Sequence, residues 1–139
     1  MIYSLKGIVQ ELGPTHVVID VNGIGYYVGI SLQTSQKLVH QQPVFLFTQQ
    51  IIREDSHQLF GFFSKEEKEM FNLLISVSGV GAVSALLVLS SLSLQEIAGA
   101  IGNGNSALLQ KVKGIGVKTA ERIIVDLRDK VLKFNVSAE

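Results

Sequence analysis

The sequence predicts an α+β fold in which a strand-rich region is followed by an all-helical one. Eight of the ten aromatic residues lie in the first 63 positions, where short alternating segments are separated by turns. From Ser64 onward, the apolar residues instead recur at helical spacing. We therefore predict two domains, residues 1–63 and residues 64–139. The absence of cysteine excludes a disulfide framework, a thiolate metal site and a cysteine nucleophile.

The first domain is predicted to be a small closed barrel. Asn22-Gly23 suits a two-residue hairpin turn that requires positive φ at both positions. A second hairpin is predicted around a polar tip, Glu54-Asp55-Ser56-His57. Five short, glycine-rich strands in about 60 residues are typical of the OB-fold. The predicted strands span residues 2–10, 17–21, 24–30, 43–53 and 58–63.

The second domain is predicted to be helical because its capping signals and its apolar periodicity agree. Ser64 with Glu67, and Ser93 with Glu96, each have the spacing of a capping box. Charged residues lie opposite the apolar stripe of the last helix, which predicts a helix packed along one side. That stripe comprises Ala120, Ile123, Ile124, Leu127 and Val131.

An uncharged run from residue 70 to residue 95 is long enough to span a bilayer. Asn72, two glycines and six serines interrupt it, so we interpret it as buried helices of a globular domain. The first residues lack the basic and apolar regions of a secretory signal. We therefore expect a cytoplasmic protein without a membrane span.

An internal repeat in the second domain carries the functional signal. Gly79-Val80-Gly81 and Gly114-Ile115-Gly116 each lie between apolar helical patterns, 35 residues apart. Gly-apolar-Gly between helices is typical of a helix-hairpin-helix motif, in which the glycines permit the turn and the apolar residue fills the space between the helices. The next helix begins with unpaired amides and the positive end of its dipole, which together bind a phosphate without a basic side chain. One such tripeptide is often only a helix end, but two copies in matching contexts favour DNA binding.

Basic side chains gather around the second hairpin. Four of them outnumber the acidic Glu121 there: Lys111, Lys113, Lys118 and Arg122. Without other evidence, this excess of positive charge would indicate only an ordinary solvated helix face. Beside a phosphate-binding turn, we expect Lys118 and Arg122 to contact the DNA backbone, fixing register without reading sequence.

Several segments resemble the RuvA family in their order along the chain. The resemblance covers the whole sequence, and the ordered combination is more specific than any single motif. In the barrel it rests on the opening Met-Ile, Leu5-Lys6-Gly7, Asn22-Gly23-Ile24-Gly25-Tyr26, Arg53-Glu54-Asp55 and Gly61. In the helical domain it rests on the two hairpins and on Lys118-Thr119-Ala120-Glu121-Arg122.

The resemblance implies a non-catalytic subunit that binds four-way (Holliday) junction DNA in recombination and repair. It also implies a homotetramer, alone or as two tetramers around the junction, and a hexameric ATPase partner, RuvB, that drives branch migration. Neither a cofactor nor a metal is implied. Glu54 and Asp55 would form an acidic pin at the tetramer centre, where they repel phosphates and keep the junction open. The implied DNA-binding residues are Gly79, Val80, Gly81, Gly114, Ile115, Gly116, Lys118, Thr119 and Arg122.

The chain departs from the family pattern at both hairpins. The first is commonly followed by Pro-Lys but here by Ala82-Val83, and the second commonly has two consecutive basic residues but here Val117 precedes Lys118. Each site keeps its amides and lacks one cation. The family's third helical domain, which contacts the ATPase, does not follow Glu139, so we expect no ATPase contact from this sequence.

Two further binding functions fit parts of the sequence. A DNA-binding module without junction specificity would contain the same hairpins. A barrel that binds single strands would use aromatic residues as stacking platforms beside a basic groove. Against the second function, the barrel is poor in cations, and Tyr26, Phe45 and Phe47 have the alternation expected of core residues.

A metal-dependent nuclease is the enzymatic alternative. Glu54 and Asp55, together with three glutamates of the helical domain, would be its ligands. Those glutamates are better explained as an acidic first turn that complements a helix dipole: Glu66, Glu67 and Glu69.

Overall fold

The computed structural model describes residues 1–132 and separates into two compact units, Met1–Lys68 and a helical unit that begins at Glu69. The strands of the first unit are β1 (Ser4–Leu12), β2 (His16–Val21), β3 (Ile24–Gly29), β4 (Pro43–Arg53) and β5 (Ser56–Phe62). They form a closed barrel with the strand order β1-β2-β3-β5-β4, which confirms the predicted five-stranded fold. A short helix that the sequence did not predict, α1 (Leu32–Lys37), lies between β3 and β4 along the chain.

Close strand packing in the barrel requires glycine at two positions. A Cβ at Gly7 would lie 2.3 Å from the carbonyl oxygen of Asp20, and a Cβ at Gly61 would lie 2.7 Å from Cγ1 of Val28. Neither distance leaves room for a side chain. Both glycines belong to the segments that resemble RuvA. The interior around them is filled by Leu5, Val9, Val17, Ile19, Val28, Ile30, Val44 and Leu46.

The turn between β2 and β3 has the predicted geometry. Asn22 and Gly23 both have positive φ, 52° and 92°. The carboxylate of Asp20 accepts a hydrogen bond from the N–H of Gly23 at 2.8 Å, which closes the turn. Asn-Gly therefore sets the register of this hairpin through local backbone geometry.

The outer face of β4 carries aromatic side chains that we expected to be core. Phe45 is 46% exposed and Phe47 is half-buried, whereas Tyr26, on β3, packs against the barrel core as expected. Val44 and Leu46 occupy the interior instead, because successive side chains on a strand point to opposite faces. Both faces of β4 are apolar in the sequence, so alternation alone did not show which set points inward.

Helix α2 (Lys65–Ile75) begins with a hydrogen-bond network centred on Glu67. The N–H of Glu67 donates to Ser64 Oγ at 3.1 Å, as in a capping box. The Glu67 carboxylate, however, accepts from the N–H of Phe63 at 2.9 Å rather than from that of Ser64. The same carboxylate accepts from the hydroxyls of Ser31 (3.0 Å) and Thr34 (3.1 Å). These bonds tie the first turn of α2 to the barrel, and the units accordingly divide at Lys68/Glu69 rather than at the expected Phe63/Ser64.

The helical unit continues with helices whose predicted signals are present. The capping box of Ser93 and Glu96 is complete, with both reciprocal bonds formed. The expected apolar stripe of the last helix is buried along its length. The further helices are α3 (Ala82–Ser91), α4 (Leu94–Gly102), α5 (Ser106–Gln110) and α6 (Val117–Val131).

Within residues 1–132, no single helix is long and apolar enough to cross a membrane. Only Ala82–Ser91 and Leu94–Gly102 taken together reach the required length and composition, and a bend of 105° separates them.

Candidate nucleic-acid interface

The two glycine-containing turns of the helical unit have the same backbone conformation. Gly79 and Gly114, the first glycine of each turn, have φ of 92° and 90°. Gly81 and Gly116, the second glycines, are extended, at φ −93°, ψ −179° and at φ −87°, ψ −177°. The internal repeat found in the sequence is therefore also a structural repeat.

The central apolar residue of each turn is buried, as the helix-hairpin-helix interpretation predicts. Val80 and Ile115 are each 5% exposed. Their N–H groups donate to the carbonyls of Val77 (3.0 Å) and Val112 (3.1 Å). Both residues were included among the expected DNA contacts. Their side chains are buried and their N–H groups are engaged within the turn, and their contact with DNA stays a prediction.

The helices after these turns begin without a side-chain cap. Gly81 and Gly116 are their N-cap residues, and neither has a side chain that could accept from the helix. By contrast, helices α1, α4 and α5 begin with side-chain caps from Ser31, Ser93 and Asn105. The N–H groups in the first turns of α3 and α6 therefore have no capping side chain, and a helix start of this kind favours an anion through hydrogen bonding and the helix dipole.

A surface groove of about 390 Å³ joins residues of the two repeats. Ser78 and Gly79 of the first turn line one side, and Lys118, Thr119 and Arg122 at the start of α6 line the other. Lys118 and Arg122 are exposed, and Thr119 is half-buried. The structure thus brings together both hairpins and the two cations expected to contact a DNA backbone.

The space outside the four turn glycines is open. A Cβ built at Gly79, Gly81, Gly114 or Gly116 would meet no atom within 4 Å. Glycine is therefore not required there by packing within the protein. At the first glycine of each turn, the positive φ favours glycine; at the second, neither packing nor backbone conformation requires it.

The acidic tip of the barrel is shorter than expected. Arg53 pairs with Ser56 across the end of the β4–β5 hairpin, so only Glu54 and Asp55 form the loop, and Ser56 belongs to β5. Both carboxylates are exposed, and within the described part of the chain neither forms an ion pair. The tip therefore presents two carboxylates to solvent, next to the exposed Arg53.

The outer face of the barrel also carries aromatic rings beside cations. The ring of Tyr3 contacts that of Phe47 edge-on, with centroids 6.0 Å apart. The ammonium groups of Lys68 and Lys65 lie 4.1 Å and 5.8 Å from the centroids of Tyr3 and Phe47. A single-strand binder would need open ring faces for stacking. These two cations instead lie over the rings.

Among residues 1–132, no three His, Asp or Glu side chains converge on a common point that could hold a metal.

A five-stranded OB-type barrel joined to paired helix-hairpin-helix turns defines a class of DNA-binding protein. Two family models match within this chain: residues 1–61 match the RuvA N terminal domain, and residues 71–129 match the SAM-like helix-hairpin-helix tandem.

Curated relatives assign the chain more closely. A Holliday junction branch migration complex subunit RuvA from Flavobacterium psychrophilum is 55% identical over 96% of this chain and 69% of its own length. Its namesake from Christiangramia forsetii is 53% identical over the same shares. The corresponding protein of Bacteroides fragilis is 48% identical over 94% of this chain and 65% of its own length. The chain belongs to the RuvA family, which confirms the resemblance seen in the sequence.

Proposed function

We propose that this chain binds four-way Holliday junction DNA and holds it open while a partner motor drives branch migration in recombination and repair. The observation that carries this proposal is the pair of matching hairpins. Each ends in a glycine N-cap, which has no side chain to bond the first amides of the following helix. The names of the relatives support the choice of a junction over a plain duplex.

The hairpins bind the DNA backbone rather than the bases. A helix N-terminus carries a partial charge of about +0.5, and its free N–H groups donate directly to phosphate oxygens. Lys118 and Arg122 add charge-assisted contacts at the second hairpin. Contacts of this kind position a duplex without selecting its sequence, which suits a protein that must hold DNA moving past it.

The acidic tip acts by repulsion. Glu54 and Asp55 carry negative charge on a two-residue loop, so they cannot anchor phosphates. In a fourfold homotetramer, four such tips meet at the centre, where the DNA strands exchange between arms. Repulsion there disfavours a collapsed junction, while the hairpins supply the affinity. A second tetramer on the opposite face of the junction would double the same contacts.

The motor is proposed to be a separate hexameric ATPase of the RuvB type. Branch migration requires the arms to be pulled through a junction that stays open. In that division of work this chain is a non-catalytic subunit, because the residues assigned to it bind and repel DNA without cleaving a bond.

Comparison of three DNA substrates tests the proposal. Binding is measured by fluorescence anisotropy for a four-way junction, a linear duplex of equal length and a single strand, with the mass of the free protein measured alongside. We expect the junction to bind much more tightly than the duplex, and we expect the free protein to have a mass near four times 15.1 kDa. Equal affinity for junction and duplex would indicate a general DNA-binding module. Preference for the single strand would indicate binding by the barrel, and metal-dependent cleavage would indicate a nuclease.

A further inference from the structure

The two helix-hairpin-helix repeats share a backbone but present different side chains. The 35-residue spacing places Val83 at the position of Lys118, and it places Leu87 at the position of Arg122. The alignment is anchored in the core, because Ala85 and its counterpart Ala120 are both completely buried. The second repeat therefore presents two cations where the first presents two aliphatic side chains.

The aliphatic pair is exposed on an uncharged helix. Val83 is 69% exposed and Leu87 is 37% exposed. They lie one helical turn apart, so they share a face of α3. Ala82–Ser91 contains no charged residue. This face therefore offers apolar contact beside an amide-lined helix start, and it offers no side-chain charge to a phosphate.

We propose that Val83 and Leu87 pack against deoxyribose rings of the DNA strand at the first hairpin; this inference rests on the proposed junction binding. A DNA strand alternates anionic phosphates with largely apolar sugar faces. The second repeat meets the phosphates with Lys118 and Arg122, whereas the first meets the sugars with its aliphatic pair. A groove lined by Ser78 and Gly79 on one side and by Lys118, Thr119 and Arg122 on the other places the first hairpin beside the cations of the second repeat.

Sugar contact gives the first repeat two properties that the second lacks. Its share of the affinity does not depend on salt, because no counterion is released when an aliphatic side chain is buried. It also discriminates against RNA, whose 2′-hydroxyl would be pressed against methyl groups and would lose hydrogen bonds to water.

Alanine substitutions at the two equivalent positions separate these contributions. Junction affinity is measured over a range of salt concentrations for Val83→Ala and Lys118→Ala. Lys118→Ala should reduce the slope of log affinity against log salt by about 0.9. Val83→Ala should weaken binding several-fold by the same factor at every salt concentration, with the slope unchanged. Wild-type affinity in Val83→Ala would overturn the inference.

Ribose substitution gives a second readout that a structural role would not produce. The probes are an all-DNA junction and the same junction with ribose in one strand. The unmodified chain should prefer the all-DNA junction, and Val83→Thr, which adds a hydroxyl without changing size, should narrow that preference. Val39→Thr is the matched control, since Val39 is a 61% exposed valine in the barrel unit, outside both helix-hairpin-helix repeats. An equal effect of both threonines would overturn the assignment of Val83.

Other outcomes distinguish the inference from the function on which it rests. If Val83→Ala changed the mass of the protein or its complex instead of its affinity, the pair would contact another protein copy, and sugar contact would be wrong. If the unmodified chain bound junctions but showed no preference between deoxyribose and ribose, only this inference would fail. Failure of the unmodified chain to bind any junction would overturn the proposed function as well.

Discussion

The two glycines of the second hairpin should respond differently to the same substitution. Gly114 has φ of 90°, a conformation that an alanine adopts only with strain, whereas Gly116 is extended and accepts any residue. Neither added methyl group would meet a protein atom within 4 Å. The comparison of Gly114→Ala with Gly116→Ala therefore isolates backbone strain from steric clash.

Backbone strain sets the magnitude expected for Gly114→Ala. Holding a non-glycine residue in this region costs on the order of 1–3 kcal/mol. The free energy of unfolding should fall by that amount. If the free protein relieved the strain by abandoning the turn conformation, DNA binding would have to restore that conformation. Binding would then weaken by at most about 5- to 150-fold.

Gly116→Ala should leave stability nearly unchanged. Alanine restricts the unfolded chain, which stabilises the protein by about 0.4–1 kcal/mol, and it is a poorer N-cap than glycine by a similar amount. Its methyl group would nevertheless project into the open space through which a phosphate approaches the amides of α6. We therefore expect weaker DNA binding from this variant without a lower free energy of unfolding.

Denaturant unfolding and junction-binding titrations of the two variants measure both quantities. Gly79→Ala and Gly81→Ala should repeat the pattern in the first hairpin, because the dihedral angles match. The amide–phosphate mechanism would be refuted if both second-hairpin variants bound junctions as tightly as the unmodified chain. Equal stability of Gly114→Ala and the unmodified protein would refute the strain argument.

Three other perturbations test the remaining parts of the site. Val83→Lys with Val117→Lys should steepen the salt dependence by up to about two units per subunit engaged and tighten binding to junction and duplex alike; an unchanged slope would place these residues out of reach of phosphates. Glu54→Gln with Asp55→Asn should tighten junction binding and barely alter duplex binding in the same titrations, and weaker junction binding would contradict a repulsive tip. Glu67→Ala should lower the free energy of unfolding by on the order of 1–3 kcal/mol, measured by denaturant titration, because the buried hydroxyls of Ser31 and Thr34 lose their acceptor. An unchanged free energy of unfolding would show that water replaces the carboxylate.

The sequence alone determined the features that depend on neighbouring residues. Asn22-Gly23 specified its turn, and Ser93 with Glu96 specified a capped helix start, because their hydrogen bonds and dihedral angles involve residues close in the chain. The two Gly-apolar-Gly tripeptides are local in the same sense. Their spacing was enough to predict both hairpins and the buried residue at the centre of each.

Only the tertiary structure determined which residues far apart in the sequence contact one another. Glu67 has the spacing of a capping box, yet its carboxylate accepts from Ser31 and Thr34, more than 30 positions away. The orientation of β4, which leaves Phe45 exposed, likewise depends on barrel closure rather than on alternation. The groove that joins Gly79 to Lys118 needs both repeats to be folded. Such contacts follow from packing between segments far apart in sequence, which local patterns do not specify.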